Sequence, residues 1–310
     1  MERIAVIANP VASQFTGGSH RSVMAELAKT HEVEAVWPGS AVEATAAAEQ
    51  AVSDRFDAVV AMGGDGIVHH VAQALVGTDV ALGIIPAGTT NVVARLFHVP
   101  SRQVKAARLI ARAETPEPVG TVKLTLERGE VETIHHAIFA CGFGLDAEVV
   151  RVADSDPYRK YRFGSIHYAR SALGVGFRVF PSVKPHVTIS SEGRSKMGTS
   201  ALIQFRSVYT YFGKIALRFG DAVPEPMSVL ILERLRRRRI PKIFLGALTH
   251  RELGDIEGFE LWPHVKSVEI DADPPVPAQA DGENLGLVDG GTAVWEPDSL
   301  RVISGLNLAD

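Results

Sequence analysis

The strongest constraint on this chain is a tetrad of three glycines and one aspartate, Gly63-Gly64-Asp65-Gly66, set between two apolar segments. Residues 58–62, before the tetrad, have the pattern of a buried strand, and residues 68–76, after it, have that of a helix. Glycines in such a turn let the backbone take positive φ and approach an anion at the start of the helix. The tetrad therefore predicts a phosphate-binding turn, and a strained turn with a capping aspartate is the alternative.

A second polar loop of the same kind follows the next predicted strand. The pattern of a buried strand over residues 81–85 leads into a loop over residues 86–91, which contains Gly88. Because ligands collect at the carboxyl ends of the strands of a parallel sheet, both loops are expected to face one crevice. The loop's threonines and asparagine could instead only cap the next helix. As a pair, the two loops favour a nucleotide or phosphate site.

The character of the sequence changes near residue 118, and the length of 310 residues is enough for two domains. The first third alternates strand and helix patterns, which predicts a parallel sheet covered by helices. Its predicted strands cover residues 3–8, 33–37, 58–62 and 80–85, and its helices residues 20–29, 41–53, 68–76, 91–97 and 101–113. Beyond Pro118, short strand-like runs predict an all-β second domain with one helical interruption over residues 163–180.

Composition and charge narrow the possible functions. A net charge of −4 gives no general basis for binding nucleic acid. A local basic run from Arg234 to Lys242, followed by apolar residues, fits contact with an anionic membrane or a solvated helix face. The single cysteine, Cys141, is expected in the core of a protein from a reducing compartment such as the cytoplasm. No apolar segment approaches the roughly 20 residues needed to span a bilayer, so a soluble or peripheral protein is expected.

Five elements, in order and in approximate spacing, resemble the catalytic domain of the diacylglycerol kinase and sphingosine kinase superfamily. They are Asn9-Pro10, the run from Gly63 through Arg95, GFGLDAEVV at residues 142–150, YRKYRF at residues 158–163 and QADGE at residues 279–283. The resemblance covers nearly the whole chain and is more specific than GGDG alone, which NAD kinases and phosphofructokinases share. It implies a Rossmann-like α/β domain of the NAD kinase and diacylglycerol kinase type, an all-β sandwich domain, and ATP and Mg²⁺ as cofactors.

The resemblance also implies a domain division and an activity. The C-terminal tail would return to the first domain, so residues 1–118 with 297–310 would bind the nucleotide, and residues 119–296 would bind the lipid acceptor. The expected activity is transfer of the γ-phosphoryl group of ATP to a hydroxyl of a diacylglycerol-like or sphingoid-like lipid lying between the domains. The protein would be cytoplasmic, would associate peripherally with the membrane that holds its lipid, and could form a homodimer.

Site residues are carried over position by position. Asp65, Asp281 and Glu283 are the expected catalytic acids, with Asp65 and Asp281 also as metal ligands, and the sequence does not decide whether Asp65 or Glu283 is the base. Asp146 and Glu148 match acids near the lipid head group. The residues expected to bind the nucleotide are Asn9, Gly63, Gly64, Gly66, Gly88, Thr89, Asn91, Arg159 and Arg162.

The pair Asp281 and Glu283 can also be considered without the resemblance. A spacing of two in an extended chain projects both carboxylates to the same side, which suits a base and a metal-orienting group. Asp-Gly is also a strong turn dipeptide, so a plain β-turn is the alternative reading.

Departures from the family pattern keep two alternatives open. Ile67 stands at the usual threonine position, His69-His70 at the usual Asn-Glu, and Val92 at the usual aspartate, while the region around Val223 to Met227 lacks the acids of a structural Mg²⁺ site. An NAD kinase would share GGDG but not YRKYRF and QADGE. A non-catalytic nucleotide- or lipid-binding protein would account for the lost polar groups, but retention of the three catalytic acids argues against it.

Overall fold

The structure is a computed structural model that describes residues 1–154, 183–212, 215–217, 226–234 and 257–306. The chain forms two compact units, one made of Met1–Thr121 with Glu296–Asp310 and the other of Val122–Trp295. The chain therefore leaves the first unit once and returns to it once.

The first unit is a parallel α/β domain. Its elements are strands β1 (Arg3–Ala8), β2 (Glu32–Val36), β3 (Ala58–Gly63) and β4 (Ala81–Pro86), and helices α1 (Gly17–Leu27), α2 (Ala41–Ser53), α3 (Asp65–Leu75), α4 (Val92–Leu96) and α5 (Gln103–Arg112). The strands lie in the order β2-β1-β3-β4, and every pairing is parallel. The prediction of an α/β region with a parallel sheet is confirmed.

Burial explains why these strands form the centre of the unit. β1, β3 and β4 are buried along almost their whole length, as in sheets covered on both faces. The helices that cover them pack in two pairs, α1 with α5 and α2 with α3. Two of these helices are started by hydroxyl side chains: Thr16 forms a capping box with Ser19, and Ser40 accepts from the backbone N–H of Glu43.

The second unit is mostly antiparallel β-sheet. Its strands are β5 (Glu117–Arg128), β6 (Val131–Ala137), β7 (Ala140–Phe143), β8 (Val187–Ser191), β9 (Arg194–Gly198), β10 (Ser200–Gln204), β11 (Thr210–Phe212), β12 (Ile215–Leu217), β13 (Ser228–Leu232), β14 (Phe259–Trp262), β15 (Ser267–Ala280) and β16 (Glu283–Val302). The main path runs β14-β13-β10-β7-β15-β16, with β5, β6, β8 and β9 paired beside it. The prediction of a β-rich second region is therefore confirmed.

One element of the second unit differs from the sequence reading. A helix that the sequence reading lacks, α6 (Leu145–Asp154), follows β7 directly, and the helix predicted over residues 163–180 lies outside the described residues. Cys141 is buried in the core of this unit, as predicted. Within the described part of the chain, no helix combines the length and the apolar character that crossing a membrane requires.

Two strands are shared between the units. β5 begins in the first unit and continues into the second, and β16 begins in the second and ends in the first. At that end, Arg301 and Val302 pair in parallel with Ala81 and Leu82 of β4. The last residues of β16 thus extend the sheet of the first unit by one strand.

Candidate active site

The carboxyl ends of three parallel strands lie next to one another in the first unit. Just beyond β1, the N–H of Asn9 donates to the carbonyl of Met62 at 2.9 Å. Just beyond β4, the N–H of Ala87 donates to the carbonyl of Gly63 at 2.7 Å. The loops that follow β1, β3 and β4 therefore start from one edge of the sheet, where a parallel sheet binds its ligands.

The loop at residues 63–66 and the loop at residues 86–91, called here the two glycine loops, touch each other. A Cβ built on Gly88 would lie 2.5 Å from the Cα of Gly64, a distance that real side chains do not reach. Gly64 itself has φ −92, and neither Gly63, Gly66 nor Gly88 has positive φ. The expectation that these glycines supply left-handed backbone is therefore wrong. Gly88 is needed because the two backbones approach closely, and a Cβ on Gly63 would lie 2.5 Å from Cγ2 of Ile67.

Asn91 is the residue of these loops that does adopt left-handed backbone, with φ 50 and ψ 57. Its Oδ1 accepts from the N–H of Gly88 at 2.9 Å, and its Nδ2 donates to the carbonyl of Gly88 at 2.8 Å. Thr89, two residues before it, is exposed, and its hydroxyl lies 3.1 Å from that of Ser13 in the loop after β1. Asn91 therefore fixes the shape of the loop with the atoms that were expected to contact a nucleotide, while Thr89 faces solvent.

Asp65 is the first residue of α3, three positions before the predicted helix start. Its Oδ1 accepts from the backbone N–H of Val93, in the first turn of α4, at 3.0 Å. The half-buried carboxylate thus lies at the N-termini of two helices, where partial positive charge favours an anion. This contact joins the first glycine loop to the helix that follows the second.

A second group of polar side chains lies in the other unit, centred on Asp146 near the start of α6. Its Oδ2 accepts from the hydroxyl of Tyr209 and, at 2.8 Å, from the Nε2 of Gln279. Gln279 in turn accepts from the N–H of Gly282 through Oε1 at 2.9 Å. Gly142 makes room for the carboxylate, since a Cβ there would lie 2.4 Å from Oδ2 of Asp146.

Burial determines the electrostatics of this group. It raises the pKa of Asp146, and hydrogen bonds from Tyr209 and Gln279 oppose that shift. Burial also raises the pKa of Tyr209 well above its ordinary value, and the nearby Asp146 adds to the shift. The phenol therefore stays protonated and donates to the carboxylate. Among the described residues, the buried Oδ1 of Asp146 has no hydrogen-bond partner.

Glu148, the second expected head-group acid, is engaged differently. It forms a two-pronged ion pair with Arg151 on the same helix, with N–O distances of 2.6 and 2.7 Å. The guanidinium compensates most of its negative charge locally. Of the two acids, Asp146 is the one with an oxygen left over for a ligand.

The side chain of Asp281 points into the interior of the second unit. The residue is 3% exposed, and its carboxylate accepts from the backbone N–H groups of Ile138, Phe139 and Ala140 at 2.8 to 3.3 Å. Both oxygens take part, so the metal-ligand and catalytic roles expected for Asp281 do not fit its surroundings. In the structure, the carboxylate holds the connection between β6 and β7 in place.

The chain around Asp281 is a tight hairpin turn and not an extended segment. Asp281 has φ 54 and Gly282 φ 83, and the flanking Ala280 and Glu283 pair across β15 and β16. Positive φ at both central positions is the pattern of a type I′ turn. The expectation that the spacing of two aligns both carboxylates is therefore wrong, and the alternative reading as a turn is correct. Glu283, half-buried, is the first residue of β16.

Some expected site residues cannot be located. Arg159 and Arg162 lie outside the described residues, as do residues 235–242 of the basic run and residues 223–225 of the segment that departs from the family's structural Mg²⁺ site. Within the described ranges, no three His, Cys, Asp or Glu side chains cluster closely enough to hold a metal ion. A site built from one carboxylate and substrate phosphates, the usual arrangement for Mg²⁺, needs no such cluster.

Two residues of the site were missed from sequence. Tyr209 was assigned no role from the sequence, and Gln279 was noted only as part of QADGE. Tyr209 is 63 positions from Asp146 along the chain and Gln279 is 133 positions away, so local patterns cannot connect them. The helix that carries Asp146 did leave a signal, because acids in its first turn and Arg151 in its last favour a helix.

Comparison with known proteins finds relatives that match this chain over most of its length. The family description "Diacylglycerol kinase catalytic domain" matches residues 3–124. A protein of Mycobacterium tuberculosis named diacylglycerol kinase is 32% identical over 288 residues, covering 91% of this chain and 88% of that one. A diacylglycerol kinase of Bacillus subtilis (strain 168) is 24% identical over 94% of this chain and 92% of its own length. A crystal structure from Bacillus anthracis str. Sterne, provisionally described as a diacylglycerol kinase, has the same fold, with a TM-score of 0.76 over 99% of both chains at 19% identity.

Proposed function

This chain belongs to the diacylglycerol kinase family, and from that premise we propose that it transfers the γ-phosphoryl group of ATP to a hydroxyl of a diacylglycerol-like or sphingoid-like lipid. The observation that carries the proposal is the contact of two glycine loops at Gly64 and Gly88, with the Asp65 carboxylate between two helix N-termini. Phosphate groups can approach the backbone N–H groups at a helix start where glycines leave no side chain in the way. A carboxylate in the same place suits a reaction that needs a base or a metal ligand.

The nucleotide phosphates would be bound by the backbone of Gly63, Gly64 and Gly88 and by the exposed hydroxyl of Thr89. Asp65 would hold Mg²⁺ together with those phosphates, since this ion is commonly bound by one or two carboxylates plus substrate oxygens. When bound, the ion would offset the negative charge of the phosphates. Arg159 and Arg162 remain proposed as further phosphate ligands from their sequence match.

Proton removal from the acceptor hydroxyl is assigned to Asp65 or Glu283. Either carboxylate would take the proton as the hydroxyl oxygen bonds to the γ-phosphorus and the bond to the β-phosphate bridging oxygen breaks. Asp281 is assigned a positioning role, because its carboxylate holds the turn from which Glu283 begins β16. Asp146 is assigned to the acceptor, whose hydroxyl or amine would donate to its Oδ1.

The site of action is proposed from the substrate. A lipid acceptor requires contact with a membrane surface, so we propose peripheral association on the cytoplasmic side. The basic run beginning at Arg234 is the proposed contact with anionic lipid.

Acceptor identity is best tested by incubating the protein with Mg²⁺ and radiolabelled ATP against three acceptors: diacylglycerol in mixed micelles, a sphingoid base in mixed micelles, and NAD⁺. We expect label in a lipid and none in NAD⁺. Label in NAD⁺ would favour an NAD kinase. ATP binding without any labelled product would favour a non-catalytic binding protein.

Two variants of Asp65 separate chemistry from structure in the same assay. Asp65→Asn keeps an oxygen for the N–H of Val93, so we expect unchanged thermal stability and turnover reduced by about 100-fold or more. Asp65→Ala also loses that helix-start hydrogen bond and should be less stable by about 0.5–2 kcal/mol. Turnover of the Asn variant within about tenfold of wild type would remove Asp65 from the chemistry.

A further inference from the structure

An exposed tryptophan stands at the same sheet edge as the glycine loops. Trp37 follows β2 directly, and 55% of its surface is exposed. Its ring packs at steep angles against two other rings, that of His20 at a centroid distance of 4.9 Å and that of Phe15 at 6.3 Å. An indole supported by two rings and still more than half exposed offers a rigid surface to a flat ligand.

The neighbouring rings are uncharged supports. His20 is 7% exposed, and burial lowers its pKa, with Arg21 adding to the shift, so its imidazole is neutral at neutral pH. Its buried Nε2 has no hydrogen-bond partner among the described residues. The three rings therefore form an apolar aromatic group, named here the aromatic platform: Phe15, His20 and Trp37.

The aromatic platform is connected to the second glycine loop through the segment after β1. In that segment, the N–H of Gln14 donates to the carbonyl of Ala87 at 2.8 Å, and Ser13 contacts Thr89. Phe15 is the next residue. The segment that supports Trp37 is therefore fastened to the second glycine loop.

The order of the strands determines the distance between the aromatic platform and the two glycine loops. Trp37 follows β2, which is separated from β3 by β1 alone. With strands about 4.8 Å apart, the end of β2 is roughly 10 Å from the end of β3 and roughly 14 Å from that of β4. A nucleoside triphosphate can bridge that span with its base at one end and its phosphates at the other.

We propose that Trp37 binds the purine base of the nucleotide by stacking, with Phe15 and His20 holding the indole in place. The inference rests on the proposed function, since it concerns the same ATP. Membrane contact is the other common use of an exposed tryptophan, but β2 carries the exposed Glu32 and Glu34. They share one cation, Arg3, so a net negative charge remains there and opposes an anionic bilayer.

The test compares binding of Mg-ATP with binding of Mg-tripolyphosphate, which has the phosphates but no base. In Trp37→Ala, calorimetric titration should give ATP binding weaker by about 5- to 150-fold and tripolyphosphate binding equal to wild type. Trp37→Phe keeps a ring and should retain most of the affinity for ATP. Val42→Ala, a change at another exposed apolar residue near this edge, should leave both affinities unchanged.

Three results would overturn the assignment. Wild-type ATP affinity in Trp37→Ala would show that the base lies elsewhere, and the same result with reduced binding to anionic vesicles would assign Trp37 to the membrane. Equal losses for both ligands would mean that the ring only supports the loop after β1. A wild-type protein that binds tripolyphosphate and not ATP would overturn the base site and the ATP-dependent function together.

Discussion

At the scale of single residues, the carboxylate of Asp146 is buried at an electrostatic cost. It accepts two hydrogen bonds on Oδ2 but has a buried Oδ1 without a partner among the described residues. A charged oxygen in that position is costly unless a ligand donates to it. Such an oxygen is typical of a ligand-binding group that lowers the stability of the folded protein when no ligand is bound.

The pH dependence of stability should report this cost. Because burial raises the pKa of Asp146 in the folded protein, the native state binds more protons than the unfolded state between the unfolded and folded pKa values. Stability from this group is complete below the unfolded pKa and is lost as pH rises through the folded pKa. Asp146→Asn removes that titration, so its melting temperature relative to wild type should rise as the pH rises above about 4.

The control for this measurement is Asp271→Asn, an exposed aspartate on β15. We expect the difference in melting temperature between this variant and wild type to stay small at every pH. A difference for Asp146→Asn that is flat or falls with rising pH would contradict the raised pKa.

At the scale of elements, the contact between the glycine loops should be sensitive to one glycine more than the other. A Cβ on Gly88 meets the Cα of Gly64 at 2.5 Å, whereas a Cβ on Gly64 lies 3.4 Å from the Cα of Gly88, an ordinary contact. Gly88→Ala should therefore lower stability by about 1–3 kcal/mol, the usual range for overpacking, and Gly64→Ala should lower it less.

Measuring the affinity of the same two variants for ATP tests whether the phosphates bind at these glycines. If Gly64→Ala keeps its stability but loses affinity for ATP, the new methyl group occupies the phosphate position. Wild-type stability in Gly88→Ala, measured by thermal unfolding, would be inconsistent with the close approach of the two loops.

The hairpin between β15 and β16 gives a second element-scale prediction. Asp281→Ala leaves the buried N–H groups of the β6–β7 connection without their acceptor, at a cost of about 1–3 kcal/mol for each unsatisfied group. Glu283→Gln keeps the turn intact. Urea unfolding should therefore show a large loss of stability for the first variant and almost none for the second.

Activity measured on the same pair completes the experiment. Loss of turnover in Glu283→Gln at full stability would assign the base to Glu283. A stable Asp281→Ala protein would mean that its carboxylate is not needed to hold the β6–β7 connection.

The sequence predicted the elements of the first unit well and those of the second unit in part. The buried strands β1, β3 and β4 are recognisable because each is a short apolar run bounded by turn residues. The start of α3 was placed at residue 68 because glycines lower helix propensity, yet the helix begins at Asp65, where contact with α4 outweighs that preference. The resemblance to the kinase family is confirmed, whereas the hydrogen bonds of Asp146 and Asp281 join segments too distant in sequence for periodicity to connect.

At the scale of the whole molecule, the first unit depends on residues far along the chain from its glycine loops. Leu300 and Val302 of β16 are fully buried, while Arg301 between them is half-buried and paired with Asp79. Leu300→Ala should therefore cost about 2–5 kcal/mol. Arg301→Gln, which removes a surface ion pair, should cost at most about 1 kcal/mol.

Thermal unfolding and limited proteolysis of these two variants provide the measurement. Earlier cleavage of the first unit is expected for Leu300→Ala and not for Arg301→Gln. Equal stability of the two variants would mean that the last part of β16 adds little to that sheet.

The return of β16 to the first unit also determines the order of events during synthesis. The strand that completes the sheet beside β4 leaves the ribosome only after the whole second unit has been made, which takes roughly ten to thirty seconds at about 5–20 residues per second. During that interval the nascent sheet of the first unit has an open edge beside β4, and open edges invite mispairing with other chains. A slower rate of translation through the second unit would lengthen this vulnerable period, so the yield of folded protein from a cell depends on codons far downstream of the glycine loops.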